Sequence, residues 1–352
     1  MLLTYGKGNA IMILPEAWIF TNGERDYGMR IIANEFVLPL REGLECHASH
    51  FLPLGNGEIF CVYFYGSKEG QNDVRIYGSR RSPNGVWSDP VPLTEEDGVP
   101  HWNPVLYRRQ DGAVVLFYKV GKPIADWYTR CKISTDGCRT WSESFEMVEG
   151  DVSGGRGPAR NKVIDLRSGA VLAPGSTEKG EWKCFFDRSE DGGHTWRRSE
   201  EIRLPEAILA KYESTRKKGI IQPTLWETDA GVHALLRSTE GEIYRTDSAD
   251  GTVWCTPYPT GMPNNNSGID VAVLPDGRLI LACNPVSENW GSRTPISLFE
   301  SRDNGRTFTL LTHLTTMQGE YSYPALRFDD GFLHVTYTWN RKTVQYFCLA
   351  EL

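Results

Sequence analysis

The chain has 352 residues, enough for one large domain and too few for a second of the same size, and it carries 45 acidic against 38 basic side chains for a net charge of −7. Its only basic run is Arg216-Lys217-Lys218, and no apolar stretch is long enough to cross a bilayer, so neither nucleic acid nor a membrane is an expected partner. Eleven Trp, 15 Tyr and 35 Gly favour strands and tight turns over helices.

In chain order, the first residues, Met1-Leu2-Leu3-Thr4-Tyr5-Gly6-Lys7, lack the basic region and apolar core of a secretory signal. The 8 Cys show no metal-ligand spacing, so no metal or other cofactor is expected. Cys61, Cys131, Cys184, Cys283 and Cys348 fall in apolar runs and read as small buried side chains of a reduced, cytoplasmic protein. The segment Asn9 to Leu40, with Met12-Ile13-Leu14 and Ile31-Ile32, contains strand-like apolar runs. From there the sequence repeats itself. An apolar strand, a turn glycine and a second apolar strand recur around Gly57, Gly112, Gly169, Gly231, Gly277 and Gly331. The spacing is about fifty-five residues, the period of a repeat architecture.

A second motif runs in step, with the form Ser-x-Asp-x-Gly-x-Thr-Trp. Its cleanest copy is Ser189, Asp191, Gly193, Thr195, Trp196; Ser301, Asp303, Gly305, Thr307, Phe308 is close behind. Ser134, Asp136, Thr140, Trp141 places Cys138 at the second glycine position. Ser248, Asp250, Gly251, Trp254 is shorter, and Ser82, Asn84, Gly85, Trp87 is the most diverged. Asp accepts backbone amides, Gly supplies positive φ, and the aromatic ring returns to the sheet as an anchor. Each unit therefore reads as four strands, and six such units predict an all-β, six-bladed β-propeller spanning 1–352 as a single domain. A helix is expected only around Pro205 to Lys218. The last unit, Tyr323 to Leu352, is too short for four strands, so the N-terminal segment is expected to supply the missing outer strand and close the ring.

In a propeller, side chains at the mouth of the innermost strands converge on the channel axis. Counting back from each turn glycine selects His47, Asn103, Arg160 or Asn161, Gln222, Asp270 and Tyr323. The phrases around them are polar, with His50 and His101 among them, and Glu320 and Tyr321 just before Tyr323. Polar groups at one point of every repeat predict a shared pocket.

These repeats resemble the sialidase (neuraminidase) superfamily, and within it the predicted-neuraminidase group of BNR-repeat proteins. The resemblance implies three arginines that hold a substrate carboxylate, a tyrosine nucleophile activated by a glutamate, and an aspartate acid/base. Leu235-Leu236-Arg237, followed by Tyr244-Arg245, resembles the setting of the second arginine, and Arg293 before Ser301 that of the third. Tyr323 in Tyr-Pro-Ala-Leu resembles the nucleophile, with Tyr321 as its neighbour and competitor. Three positions depart: His47 stands at the first arginine, Gln222 at the activating glutamate, and Glu69 or Asp73 fall where the acid/base belongs.

The expected partner is an acidic oligosaccharide or glycoconjugate, because paired guanidinium groups match a carboxylate. Three readings follow. The first is an exo-glycosidase releasing a terminal acidic sugar, with Tyr323 as nucleophile, Glu69 or Asp73 as acid/base, and His47 or Glu320 activating the tyrosine. The second is a uronate lyase, with Arg237 and Arg293 neutralising the carboxylate, His47 or His101 as base and Tyr323 as acid. The third is a non-catalytic glycan-binding propeller, with Trp102, Trp226, Trp290 and Trp339 stacking on sugar rings.

Overall fold

The computed structural model describes residues 29–352. Six separate antiparallel sheets of four strands each form a six-bladed β-propeller. Blade 1 is built from Glu45–Gly55, Glu58–Gly66, Arg75–Arg81 and Val91–Pro92, and blades 2 to 5 follow the same order. The turn glycines all adopt positive φ, from 76° at Gly57 to 120° at Gly231, which explains glycine at each inner hairpin.

The Ser-x-Asp motifs join the third and fourth strands of their blades. In the cleanest copy Ser189 Oγ donates to Asp191 (2.7 Å), which also accepts from Thr195 N (2.9 Å) and Thr195 Oγ1 (2.6 Å). Cys138 takes the glycine position of its copy at φ 65°, and its amide still donates to Ser134 Oγ at 2.9 Å. The aromatic that ends each motif leans on the blade before it. Trp141 meets Phe60, Trp196 meets Phe117, Trp254 stacks on Phe186 at 3.9 Å, and Trp87 meets Tyr346 across the closure. The repeated phrase is thus both a turn and a joint between blades.

Closure uses the N-terminal segment. Arg30–Phe36 pairs antiparallel with Thr343–Ala350 as the outer strand of blade 6. Ile31-Ile32 of the expected closing segment lie in this strand, whereas Met12-Ile13-Leu14 lie outside the described residues. Glu35 then reaches blade 1, accepting from Arg81 Nε (2.8 Å), Arg81 Nη2 (2.7 Å) and Trp87 Nε1 (2.9 Å).

The expected helix shrinks to Glu206–Leu209. Beyond it, Lys211 and Tyr212 donate to Ile208 and Leu209 three residues back, so the chain tightens into turns instead of propagating an α-helix. Among the described residues no helix is long and apolar enough to cross a membrane. Seven of the cysteines are buried, including the five placed in apolar runs, and Cys255 is exposed.

The centre of the channel is filled by polar side chains, with Asp270 as their main acceptor. Asp270 accepts from Lys162 Nζ (2.6 Å), Thr224 Oγ1 (2.7 Å) and the Leu326 amide (2.8 Å). Blades 4, 5 and 6 and the segment entering blade 3 meet at this one carboxylate.

Candidate functional site

The inner strands begin at the channel mouth, and several are bulged there. Pairing slips between His47 and His50, Trp102 and Val105, Ile221 and Thr224, and Ser322 and Ala325. Inside each slip sits a non-glycine residue in the left-handed region: Ala48 (φ 56°), Asn103 (φ 43°), Gln222 (φ 52°) and Tyr323 (φ 56°). Asn266 (φ 59°) takes the same conformation ahead of the blade 5 inner strand. Such a conformation costs about 1–3 kcal/mol at each position and is kept where it re-aims a side chain.

Tyr323 is the hub. Its hydroxyl lies 3.0 Å from Arg237 Nη1 and 3.5 Å from Gln222 Nε2, at the limit of hydrogen bonding. Arg237 also donates to Gln222 Oε1 (2.9 Å) and Asn266 Oδ1 (2.7 Å). The guanidinium groups of Arg160, Arg237 and Arg293 stand 5.3, 5.8 and 5.9 Å from the Tyr323 ring. Gly268 makes room for the ring, since a Cβ there would sit 3.1 Å from Tyr323 Cα. Tyr321, the competitor, is fully buried against Tyr337 and Trp339, away from this cluster.

A third mouth arginine comes from a place the sequence did not suggest. Arg341 (φ 58°) and Asn340 (φ 50°) are the two central residues of the blade 6 hairpin, both left-handed, as a type I′ turn requires. Arg341 Nε donates to Glu320 (2.7 Å) and its Nη1 pairs with Glu69. Glu320 also accepts from Arg293 Nη1 (2.8 Å). Burial works against the charge of Arg341, but Glu69 and Glu320 outweigh it and raise its pKa.

A second unforeseen group is Glu178, just past the strand Val171–Thr177. Burial pushes its pKa up, against the opposing pull of Arg237 and Lys217 and with help from Glu69. It is a carboxyl poised to stay protonated longer than usual. Glu69, in contrast, is paired with Arg341.

The remaining candidates are distributed as follows. Asp73 spends both oxygens on Ser67, accepting from its amide and hydroxyl at 2.8 Å each. Those bonds outweigh burial and lower its pKa, so it pins its own loop and is a poor proton donor. His47 packs against Tyr323 with ring centroids 4.1 Å apart and the planes tilted by 47°, and shares a bond with Thr338 Oγ1 (2.8 Å). Burial first, then Arg341, Arg293, Arg160 and Arg237, drive its pKa far below the ordinary histidine value. It is a neutral ring wall and a weak base. The residue in the bulge of blade 1 is Ala48, one place further on, so the count back from Gly57 is out of register with the structure. His101 is enclosed between Thr94 Oγ1 (2.7 Å) and Asp97 (3.2 Å) and packs on Tyr118, outside the Tyr323 cluster. Burial lowers its pKa despite Asp97.

His50 accepts the Leu106 amide (3.2 Å), Asn103 donates to Ala159 O (3.0 Å), and Asn161 donates to the Gln222 and Pro223 carbonyls (3.0 Å each). Together with Asp270 these residues bond the channel to itself below the mouth. Arg160 lies beneath Tyr323 and donates to the Tyr323 and Pro324 carbonyls (2.6 and 3.0 Å). Of the four tryptophans considered for stacking, Trp290 presents its face. It is 61% exposed at φ 62°, with Arg237 5.8 Å from its ring. Trp102 and Trp226 are buried and hydrogen-bonded to Gly121 O and Asn304, and Trp339 packs on Phe36 and Tyr321.

The far end of the channel holds a cavity of about 490 Å³ lined by Arg108, Lys162, Trp226 and Arg327. Its cations already serve the fold: Arg108 bonds Pro53 O, Arg327 bonds Phe51 O, and Lys162 bonds Asp270. The chemistry therefore gathers at the mouth around Tyr323. No group of three or more His, Cys, Asp or Glu able to hold a metal ion occurs among the described residues.

Comparison with known proteins agrees with the architecture. A family model described as a BNR repeat-like domain matches residues 57–335. A Dyadobacter fermentans protein of unknown function superposes with a TM-score of 0.74 at 16% identity, covering 92% of this chain and 99% of that one. A K499G mutant of the NanB sialidase from Streptococcus pneumoniae gives a TM-score of 0.67 at 12% identity, over 87% of this chain and 68% of that one. The intramolecular trans-sialidase from Ruminococcus gnavus, solved with oseltamivir carboxylate, gives 0.66 at 12%, over 87% and 94%. No curated protein sequence matches the chain.

Proposed function

The chain belongs to the BNR repeat-like domain family, and from that premise we propose that it is an exo-acting glycosidase releasing a terminal acidic sugar. The observation that carries this reading is the ring of arginines around one tyrosine. Arg237 donates to the Tyr323 oxygen, while Arg293 and Arg341 are joined through Glu320 beside it. Such a mouth suits a sugar whose carboxylate sits at the reacting carbon, because guanidinium groups bind carboxylates in fixed geometry. Sialidases with a tyrosine nucleophile are a known exception to the paired-carboxylate scheme.

In the first step the Tyr323 oxygen, ionised to the phenolate, bonds to the anomeric carbon as the glycosidic C–O bond breaks. The leaving oxygen takes its proton from a carboxylic acid. Glu178, with its raised pKa, is the acid favoured here, and Glu69 is paired with Arg341. In the second step the resulting carboxylate takes a proton from water, the water oxygen replaces tyrosine at the anomeric carbon, and Tyr323 departs. Trp290 offers an apolar platform for the sugar on the leaving side.

Elimination from a uronate is the second reading. It is favoured by Gln222 standing beside the tyrosine instead of a carboxylate, and in it Tyr323 is the base. His101 lies away from the cluster and His47 is a weak base, so neither supports that chemistry as well as the tyrosine does.

The test is to incubate the protein with sialylated and uronate-terminated oligosaccharides and weigh the products. Fragments whose summed mass includes one water support hydrolysis. Fragments without added water, one of them unsaturated, establish elimination. Binding without cleavage across both classes overturns both and leaves a glycan-binding propeller.

A further inference from the structure

We propose that Tyr323 reacts as a phenolate stabilised by guanidinium charge instead of one formed by a carboxylate base, with Gln222 as the positioning residue that completes the donor set at its oxygen. The inference deepens the reading above, in which Tyr323 is the reacting residue, but the observations behind it do not depend on turnover.

The first observation is the identity of the atoms around the oxygen. Arg237 Nη1 can only donate, and it lies 2.9 Å from Gln222 Oε1, which fixes the amide: its carbonyl faces Arg237 and its NH₂ faces Tyr323. The Tyr323 oxygen thus has two N–H neighbours, Arg237 at 3.0 Å and Gln222 at 3.5 Å. Both require lone pairs of the tyrosine oxygen and neither can accept its proton. That arrangement suits an oxyanion better than a hydroxyl.

The second observation is uncompensated charge. Arg160 is 1% exposed, and among the described residues its Nε and Nη1 have no hydrogen-bond partner. Its guanidinium carbon is 5.3 Å from the Tyr323 ring centroid, and its own bonds go to carbonyls, which carry no net charge. Asp270, the nearest opposite charge, is already bonded to Lys162, so a phenolate beside Arg160 offsets part of the cost of burying its guanidinium.

Every charged or titratable group that faces Tyr323 enters this balance. Arg160 lies beneath the ring, Arg237 and Arg293 flank it, and Arg341 stands across the mouth. Against them are Glu69, Glu178 and Glu320. Glu69 and Glu320 are already paired with Arg341 or Arg293, and Glu178 has a raised pKa. His47 packs on the ring as a neutral side chain. Burial opposes ionisation of Tyr323, but Arg237 and Arg293 outweigh it and the net shift is downward.

Gln222 follows from this. A glutamate there would bring a carboxylate within reach of Arg237 and of the tyrosine oxygen, cancel part of the stabilising charge and return a proton to the site. Gln keeps the hydrogen bond without the charge.

The experiment is a near-ultraviolet phenolate titration without any sugar, from about pH 6 to about pH 11, of the wild type against Tyr323→Phe and Gln222→Glu. The wild-type minus Tyr323→Phe difference is expected to contain one transition below the ordinary tyrosine value of about 10. Gln222→Glu is expected to move that transition up by about one pH unit or more. A wild-type transition at or above the ordinary value, or a Gln222→Glu transition unmoved or lowered, overturns the proposal. If Tyr323→Phe does not fold, the comparison of wild type with Gln222→Glu decides alone. A low transition in a protein that cleaves no acidic sugar defeats only the glycosidase reading. Cleavage by a protein whose Tyr323 titrates normally defeats only this inference.

Discussion

Arg341 offers the sharpest residue-level test, because among the described residues its guanidinium pairs with carboxylates at the mouth, Glu320 and Glu69. A hydrogen bond to a charged group is worth about 1.5–3 kcal/mol. Arg341→Ala should therefore lower kcat/KM on an acidic sugar by about 10- to 150-fold. If the guanidinium grips substrate and transition state alike, the loss falls mainly on KM, and steady-state kinetics with the wild type as reference checks it. Glu178→Gln tests the acid. Loss of a general acid costs about 10²–10⁴ in rate with an ordinary sugar leaving group, and far less with a leaving group that needs no protonation. Because the Glu178 pKa is raised, the wild-type rate should fall on the alkaline side as this carboxyl loses its proton, and Glu178→Gln should lack that limb. Neither residue was legible in the sequence. Arg341 occupies a turn position that normally takes glycine, and no spacing rule brings a blade 6 hairpin to the blade 1 loop that carries Glu69. Glu178 becomes a site group only through burial beside Arg237. Arg237, Arg293 and Tyr323, in contrast, sit in phrases with their own local signature.

At the scale of elements, the repeated phrases were readable because each performs one local task in every blade. Asp binds the turn amides, Gly or a substitute accepts positive φ, and the ring packs on the preceding blade. The bulges were not readable. A bulge inserts one extra residue, which shifts by one place the side chain aimed at the axis. Hence Ala48 occupies the bulge where the count selected His47, and Asn266 carries the left-handed conformation near the mouth while Asp270 sits deeper as the channel pin. A polar run reads the same in either register. The closing strand makes a prediction of its own. Glu35 on Arg30–Phe36 binds Arg81 through two donors and Trp87 through a third, so one carboxylate fastens the last blade to the first. Glu35→Ala strands the Arg81 guanidinium and the indole N–H in a partly buried joint. The expected loss is about 1–3 kcal/mol of unfolding free energy, seen as a lower urea midpoint with an unchanged slope. An unchanged midpoint would mean that backbone pairing alone holds the closure.

For the whole molecule, pH reports how the blades are joined, because several histidines are packed as neutral rings between or within them. His47 and His50 have pKa values held far below normal by burial and then by nearby arginines. Burial lowers His334 to about 4, where it bonds the Tyr346 hydroxyl at 2.8 Å. In the unfolded chain each titrates near the ordinary value of about 6.5. A depressed folded pKa means that the unfolded state binds the proton first, so stability is complete above about pH 6.5 and declines as pH falls toward the folded values. For His334 alone the difference corresponds to about 3 kcal/mol once its folded pKa is passed. A second stage begins lower. The turn aspartates Asp136, Asp191 and Asp303 have pKa values depressed mainly by bonds from their own Ser and Thr partners, with Asp303 at about 2 after burial is offset. Their contribution is present above about pH 4 and is lost as pH falls through their folded values. Asp136 and Asp191 are exposed and Asp303 partly so, and all three are screened by solvent, so this stage adds slope more than depth. Unfolding free energy measured by urea at a series of pH values should therefore begin to fall below about pH 6.5, well before the carboxylates titrate. His334→Gln, which keeps a polar side chain but cannot be protonated, should flatten the upper part of that decline. A stability that stays level until about pH 4 would show that the histidines are not the acid-sensitive joints of the ring and would leave only the aspartate turns to account for acid unfolding.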